Sequence, residues 1–422
     1  MKIDQIVVAL GLAALMLAPA SAAGANRIET TLSRYAAANP ETGALVLRLD
    51  GTAVTQIASY KPDSPRIPAS TMKLATGAGS LLSLGSDFRF STRVYTNTGA
   101  SLRGGVLRGP VYLQGSGDPL LATGRYSKTH LGGRGTTVVK LARPLRRHGI
   151  RRIKGPIVAD ETVFDRRRTG LRWLSHYTLY SPPLGGLVTN QAYAGNAQVR
   201  YSSQPALASG VRLRTSLRAI GVATPGKVRH GRTPRKARLL ANAKSAPLRV
   251  IVQNMNKSSD NHIAETLTKS VGAYAAGSGS SAAGATQIAS ALSRRGMITS
   301  RDRIADGSGL SRANRLSASS LVRLLTQAEN EPGWGKALIA SLPRGGEGTL
   351  TRRFRGSSGP RVRAKTGYIN GASTLAGRVV SKRGKVYIFA ILMNGGALNL
   401  TDARSTQDRV VALLAAGVAD SA

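Results

Sequence analysis

The chain has 422 residues, 41% of them hydrophobic and 19% charged, which is long and apolar enough for a sizeable core and for two or three domains. Its 60 Lys and Arg against 20 Asp and Glu give a net charge of +40, a balance that attracts polyanions unless it reflects an Arg-rich proteome. Cysteine is absent, which excludes disulfides, thiolate metal sites and a lipidated N-terminal cysteine.

Lys2 precedes an apolar run from Ile6 to Leu17, followed by Pro19 and the small residues Ala20-Ser21-Ala22. The run is short for a membrane span and fits a secretory signal over residues 1–22. The expected location is therefore outside the cytoplasm, periplasmic or extracellular and associated with the cell wall. For an exported protein the basic surface points to anionic cell-wall polymers, and no nucleic-acid partner is expected.

Asn26 to Ala38 has the periodicity of an amphipathic helix, and Ala44–Leu49 with Ala53–Ala58 reads as a hairpin around Asp50-Gly51. After Pro68 a second helix is predicted, with Leu74, Ala75, Ala78, Leu81 and Leu82 at helical spacing. From Phe88 the texture changes to short strands, Phe88–Thr96, Val106–Gln114 and Ile153–Ala159, separated by Gly and Pro turns. Three basic runs lie in this region, around Arg143–Lys154, Arg166–Arg172 and Lys227–Arg238, and few aromatics interleave with them.

Helical patterns return over Val250–Asn256, Ile263–Tyr274, Ser281–Arg295 and Ser317–Glu329. Two strands, Ala372–Ser381 and Lys385–Met393, and a last helix, Asp402–Ala419, complete the chain. The first and last hairpins are expected to share one antiparallel sheet with helices against it. That gives an α+β fold built from residues 23–90 and 245–422, interrupted by a β-rich insertion over 91–244.

Three short stretches carry the chemistry. Ser70 and Lys73 lie three apart at a helix start, so hydroxyl and amine share a face. Ser259-Asp260-Asn261 sits on a break between two helical runs, and Lys365-Thr366-Gly367 leads into a strand. Each alone is a common triplet, but the three in this order form the signature set of serine β-lactamases and penicillin-binding proteins. In that reading Ser70 attacks an acyl carbonyl and Lys73 is its base, which near neutral pH requires about 4 kcal/mol of destabilisation of the ammonium. Burial and repulsion from Lys365 are the expected sources. Ser259 would relay the proton to the leaving amine, Asn261 would hold the substrate amide, and Lys365 with Thr366 would bind a terminal carboxylate. Gly367 would let the substrate lie along the strand, and the N–H groups of Ser70 and Tyr368 would form the oxyanion hole.

Spacing separates the candidates. Ser70 and Ser259 are far further apart than in compact class A β-lactamases, and Glu265, Glu329, Glu331 and Glu347 lack the Glu-x-x-Leu-Asn context of their water-activating residue. A β-lactamase is distinguished by fast turnover of its penicilloyl ester, and a catalytically idle wall-binding protein by a broken triad. A long insertion between the first two motifs resembles the class C low-molecular-mass penicillin-binding proteins, D-alanyl-D-alanine carboxypeptidase/endopeptidases of DacB type. Gly115–Pro119, Asp160–Phe164, Tyr180–Pro183, Asp306–Ser311 and Leu342–Leu350 extend the match over nearly the whole chain.

The resemblance implies a transpeptidase-like domain that cleaves the terminal D-Ala, and D-amino-acid cross-links, of peptidoglycan stem peptides, with β-lactams as covalent inhibitors. It also implies an acidic and an aromatic residue from the insertion near the substrate side chain, which Asp160 and Phe164 would supply. No cofactor is implied, and no metal site is expected from the scattered histidines.

Overall fold

The structure, a computed structural model, describes residues 22–51, 53–194 and 200–421; the predicted secretory signal lies outside the described residues except for Ala22. A five-stranded antiparallel sheet organises the fold, in the order Val362–Ile369, Ala372–Val380, Val386–Asn394, Thr42–Asp50, Ala53–Tyr60. The hairpins from the two ends of the sequence thus meet, with Thr42 opposite Met393 and Leu49 opposite Val386. Strand Val386–Asn394 is a continuous apolar run because both of its faces are covered. Ile388, Ala390 and Leu392 face the core around the serine helix, while Phe389, Ile391 and Met393 face helices Ala22–Ala38 and Leu400–Ala415.

Helix Met72–Leu84 is buried from Met72 through Leu81. Close packing on every side explains its small residues: a Cβ at Gly79 would lie 2.6 Å from Ile288. The last helix ends at Ala415 rather than Ala419, because Gly417 takes a left-handed φ of 77°.

A second five-stranded sheet is drawn entirely from residues 91–244. Its order is Val228–His230, Ile157–Asp160, Val111–Gln114, Ser91–Thr96, Arg238–Lys244, and it mixes parallel and antiparallel pairs. Two strands expected to be continuous are broken. Gly109-Pro110 divides Val106–Arg108 from Val111–Gln114, and Gly155-Pro156 divides Arg152–Ile153 from Ile157–Asp160. The two breaks pack together, since a Cβ on Gly155 would lie 2.1 Å from the Gly109 carbonyl oxygen.

This region also contains helices Gly124–His130, Val139–Arg147 and Pro205–Arg218, which the sequence pattern does not reveal. In Val139–Arg147 only Leu141, Ala142 and Leu145 are buried, and an internal Pro144 among basic residues masks the helical signal.

Candidate active site

Ser70 lies in a 3-10 turn, Ala69–Thr71, immediately before helix Met72–Leu84. The turn is held on several sides. Ala69 is buried with a left-handed φ of 45°, Thr71 Oγ1 donates to the Pro68 carbonyl at 2.6 Å, and Thr374 Oγ1 donates to the same oxygen at 2.8 Å. Lys73, in the first helical turn, is wholly buried. Its Nζ donates to Ser70 Oγ at 3.0 Å, Asn261 Oδ1 at 2.7 Å and the Ser308 carbonyl at 2.7 Å.

Two of those three partners are carbonyl oxygens, which only accept. In the neutral amine the two N–H bonds therefore go to Asn261 and Ser308, and the lone pair faces the Ser70 hydroxyl. Burial pushes Lys73 down to about 8, with Asp306, Glu265 and Asp260 acting in the opposite direction.

The second motif joins two helices. Ser259 caps Leu248–Ser258 in a left-handed conformation, Asp260 caps Asn261–Ala275 by accepting from Ile263 N–H at 2.8 Å, and Asn261 opens that helix. The third motif lies inside a strand rather than ahead of one. Arg363, Lys365 and Gly367 within Val362–Ile369 are poor strand formers and hide it as a strand.

From that strand Lys365, fully buried, donates to Ser259 Oγ at 2.9 Å and to the Thr366 carbonyl at 2.7 Å. Burial, and then the Lys73 charge, hold it well below the usual lysine range. The three motifs converge on one cleft of about 770 Å³, lined by Ser70, Ser259, Thr366, Gly367 and Tyr368, with Arg352, Arg353 and Arg404 among its other walls.

Several assignments change in detail. Asn261 is engaged at both ends of its amide, Oδ1 accepting from Lys73 Nζ at 2.7 Å and Nδ2 donating to the Tyr180 carbonyl at 2.8 Å. Gly367 is buried against the serine turn, where a Cβ would lie 2.1 Å from Thr374 Oγ1 and 2.9 Å from both Pro68 O and Ser70 N. Its need for glycine is internal.

Asp160 ends a strand of the second sheet and Phe164 lies in the turn that follows, both packed inside the protein. Asp160 is buried and accepts from Thr162 N–H, Thr162 Oγ1 and Thr233 N–H, bonds that outweigh the upward push of burial and leave its carboxyl lowered. Phe164 is buried over Gly117, with Lys269 Nζ 5.7 Å from its ring centre. Both fasten a turn and neither lines the Ser70 cleft.

The sequence reading also overlooks residues that build the site. Asp306 accepts from Gly309 and Ser311 N–H, Asn314 Nδ2 and Trp173 Nε1, the last at 2.7 Å, which ties the insertion to the catalytic loop. Asp306 opens the matched Asp306–Ser311 stretch, whose sequence does not show that its carboxylate gathers these donors. Glu265 stands four residues after Asn261, and that helical spacing is a signal that could have found it. Among the described residues no group of three or more His, Asp or Glu is placed to hold a metal ion, and no helix is long and apolar enough to cross a membrane.

Comparison with known proteins agrees with this geometry. The D-alanyl-D-alanine carboxypeptidase of an Actinomadura species is 30% identical, over 78% of this chain and 73% of its own. The D-alanyl-D-alanine carboxypeptidase DacB of Haemophilus influenzae is 26% identical, over 80% of this chain and 82% of its own. The fold matches the crystal structure of penicillin-binding protein 4 from Haemophilus influenzae with a TM-score of 0.73 at 22% identity, over 93% of this chain and 98% of that one. The sequence profile of the D-Ala-D-Ala carboxypeptidase 3 (S13) family matches residues 28–198 and 189–417. Fold, motifs and sequence agree, and this chain belongs to the D-Ala-D-Ala carboxypeptidase 3 (S13) family and is, as a member of it, a hydrolase.

Proposed function

We propose that the protein is an exported serine DD-peptidase that removes the terminal D-Ala of peptidoglycan stem peptides, and opens D-amino-acid cross-links, through an ester on Ser70. The observation that carries this reading is the Lys73 Nζ to Ser70 Oγ contact of 3.0 Å, with two carbonyl acceptors turning the amine lone pair toward the hydroxyl.

Ser70 Oγ attacks the carbonyl carbon of the penultimate D-Ala as its proton passes to Lys73 Nζ. Ser70 and Tyr368 N–H groups take the oxyanion charge. The C–N bond breaks as Ser259, held by Lys365 at 2.9 Å, relays the Lys73 proton to the leaving amine, which returns Lys73 to its neutral form. Water then attacks the ester carbonyl and gives its proton to Lys73, which passes it to Ser70 Oγ as the ester C–O bond breaks. Thr366 and the basic cleft walls receive the leaving carboxylate. A β-lactam enters by the same attack and remains as a penicilloyl ester.

In this reading residues 23–90 and 245–422 form the peptidase domain and 91–244 an inserted domain. Export rests on the signal-like residues 1–22. Binding of anionic wall polymers draws support from the basic run between Lys227 and Arg238, whose Lys and Arg side chains are all exposed.

A fluorescent penicillin should label the wild-type protein covalently, and Ser70→Ala should abolish labelling, read on a denaturing gel. Labelling that survives the substitution removes Ser70 as the nucleophile. Weighing the products from defined stem peptides and cross-linked dimers then separates carboxypeptidase from endopeptidase action.

A further inference from the structure

Helix Asn261–Ala275 carries a buried carboxyl four residues after Asn261, and the chemistry above does not use it. Glu265 is wholly buried. Its Oε1 accepts from the backbone N–H groups of Gly307 at 3.0 Å and Ser308 at 2.7 Å, while Oε2 is buried without a hydrogen-bond partner. Asp306, on the adjacent loop, is treated in the opposite way. Both of its oxygens receive donors, Oδ1 from Gly309 N–H and Asn314 Nδ2, Oδ2 from Ser311 N–H and Trp173 Nε1.

An ionised carboxylate with one oxygen buried and undonated is heavily penalised, whereas a neutral acid leaves only a hydroxyl short of an acceptor. When two neighbouring carboxyls are treated this differently, their protonation states are pushed apart. Burial, and then the Asp306 charge, drive Glu265 up to about 8, against the Ser308 bonds and the Lys73 charge. The other charged or titratable groups around it are Lys269 and His262 on its own helix, with Lys73 from the serine helix and Asp306 from the loop.

What Glu265 holds is the loop that aims Lys73. The peptide between Gly307 and Ser308 is fixed at both ends, its N–H by Glu265 and its carbonyl by Thr76 Oγ1 at 2.7 Å. The next carbonyl along, that of Ser308, takes one of the two N–H bonds of the Lys73 amine. We propose that Glu265 is a positioning residue held as a neutral carboxylic acid, which fixes the Ser308 carbonyl on Lys73 Nζ and so turns the amine lone pair to Ser70 Oγ. The proposal rests on the reading of Lys73 as the base. Neutrality matters as much as geometry, because a second full charge beside Asp306 would hold the proton on Lys73.

The test measures penicillin acylation across the Lys73 titration for wild type, Glu265→Ala and Glu265→Gln. Glu265→Ala should slow acylation by about 100-fold with penicillin affinity changed by less than about threefold. Glu265→Gln keeps the Oε1 acceptor and should recover the rate to within about fivefold, without moving the pH at which acylation half-rises. The infrared difference between wild type and Glu265→Gln at neutral pH should contain the C=O band of a protonated carboxyl.

Three results would overturn the proposal. They are wild-type acylation by Glu265→Ala, a carboxylate band in place of the C=O band, and a Glu265→Gln half-rise lowered by about one pH unit or more, the mark of a removed charge. If Glu265→Ala does not fold, the Glu265→Gln profile and spectrum decide. If wild type itself is not acylated, the peptidase reading falls while the infrared band still reports the state of Glu265.

Discussion

In the proposed mechanism Lys73 is a base made by its surroundings. Burial pushes the amine down to about 8, with the nearby carboxylates, Asp306 foremost, acting in the opposite direction. The sequence reading expects Lys365 to repel the Lys73 proton. In the structure the repulsion shows chiefly on Lys365, which has no acidic partner and hydrogen-bonds only neutral oxygens. The sign follows for activity. Protonated Lys73 cannot accept the Ser70 proton, so acylation is slow below its titration and rises through it. At pH 7 about a tenth of Lys73 is neutral, so acylation should increase about fivefold by pH 8 and level off about a unit above that. Stopped-flow acylation by a chromogenic β-lactam against pH checks this, and a rate independent of pH over that range would remove Lys73 as the titrating base.

At the scale of elements, the site is a meeting of ends: a serine turn, a break between two helices, and a sheet-edge strand. The Ser70–Lys73 spacing is legible in the sequence because a helix start brings positions three apart onto one face, and Ser259–Asn261 because capping residues mark a helix break. The strand carrying Lys365 is hidden by its own charges, while Asp306 is visible as part of a matched stretch but its hydrogen-bonding role is not, because its donors come from a folded loop and from Trp173. The role of Trp173 is equally hidden: its indole N–H reaches a carboxylate supplied by a loop distant in the sequence. Asp160 and Phe164, matched to a family stretch, are buried and help to fasten a turn, a packing role that the sequence does not display.

The strand and the turn fit together through Gly367. A methyl group there meets Thr374 Oγ1 at 2.1 Å and Ser70 N at 2.9 Å. Gly367→Ala should cost about 1–3 kcal/mol of stability by overpacking. It should also slow acylation by about 100-fold by moving an oxyanion donor. Thermal melting and the acylation rate are the two readouts, and an unchanged rate would show that the Ser70 N–H is not held by this contact.

For the whole molecule, charge and topology are the two large facts. The described residues form few ion pairs for a chain of net charge +40, and the Lys and Arg of the run from Lys227 to Arg238 all face solvent. Retention on an anionic wall polymer should therefore weaken steeply with salt, because screening shortens to about 8 Å at physiological ionic strength. Replacing Arg229, Arg232, Arg235 and Lys236 by Gln should lower the eluting salt in affinity chromatography while leaving penicillin labelling intact. Retention indifferent to salt would reduce the charge to composition.

The order of the main sheet has a consequence for biosynthesis. Strand Thr42–Asp50 is flanked on one side by its immediate successor and on the other by Val386–Asn394, a strand synthesised far later. Until then the early hairpin is marginal alone, with one edge of Thr42–Asp50 unpaired. Closure of this sheet is thus a late event in folding, because a strand near the start of the chain waits for one made long afterwards.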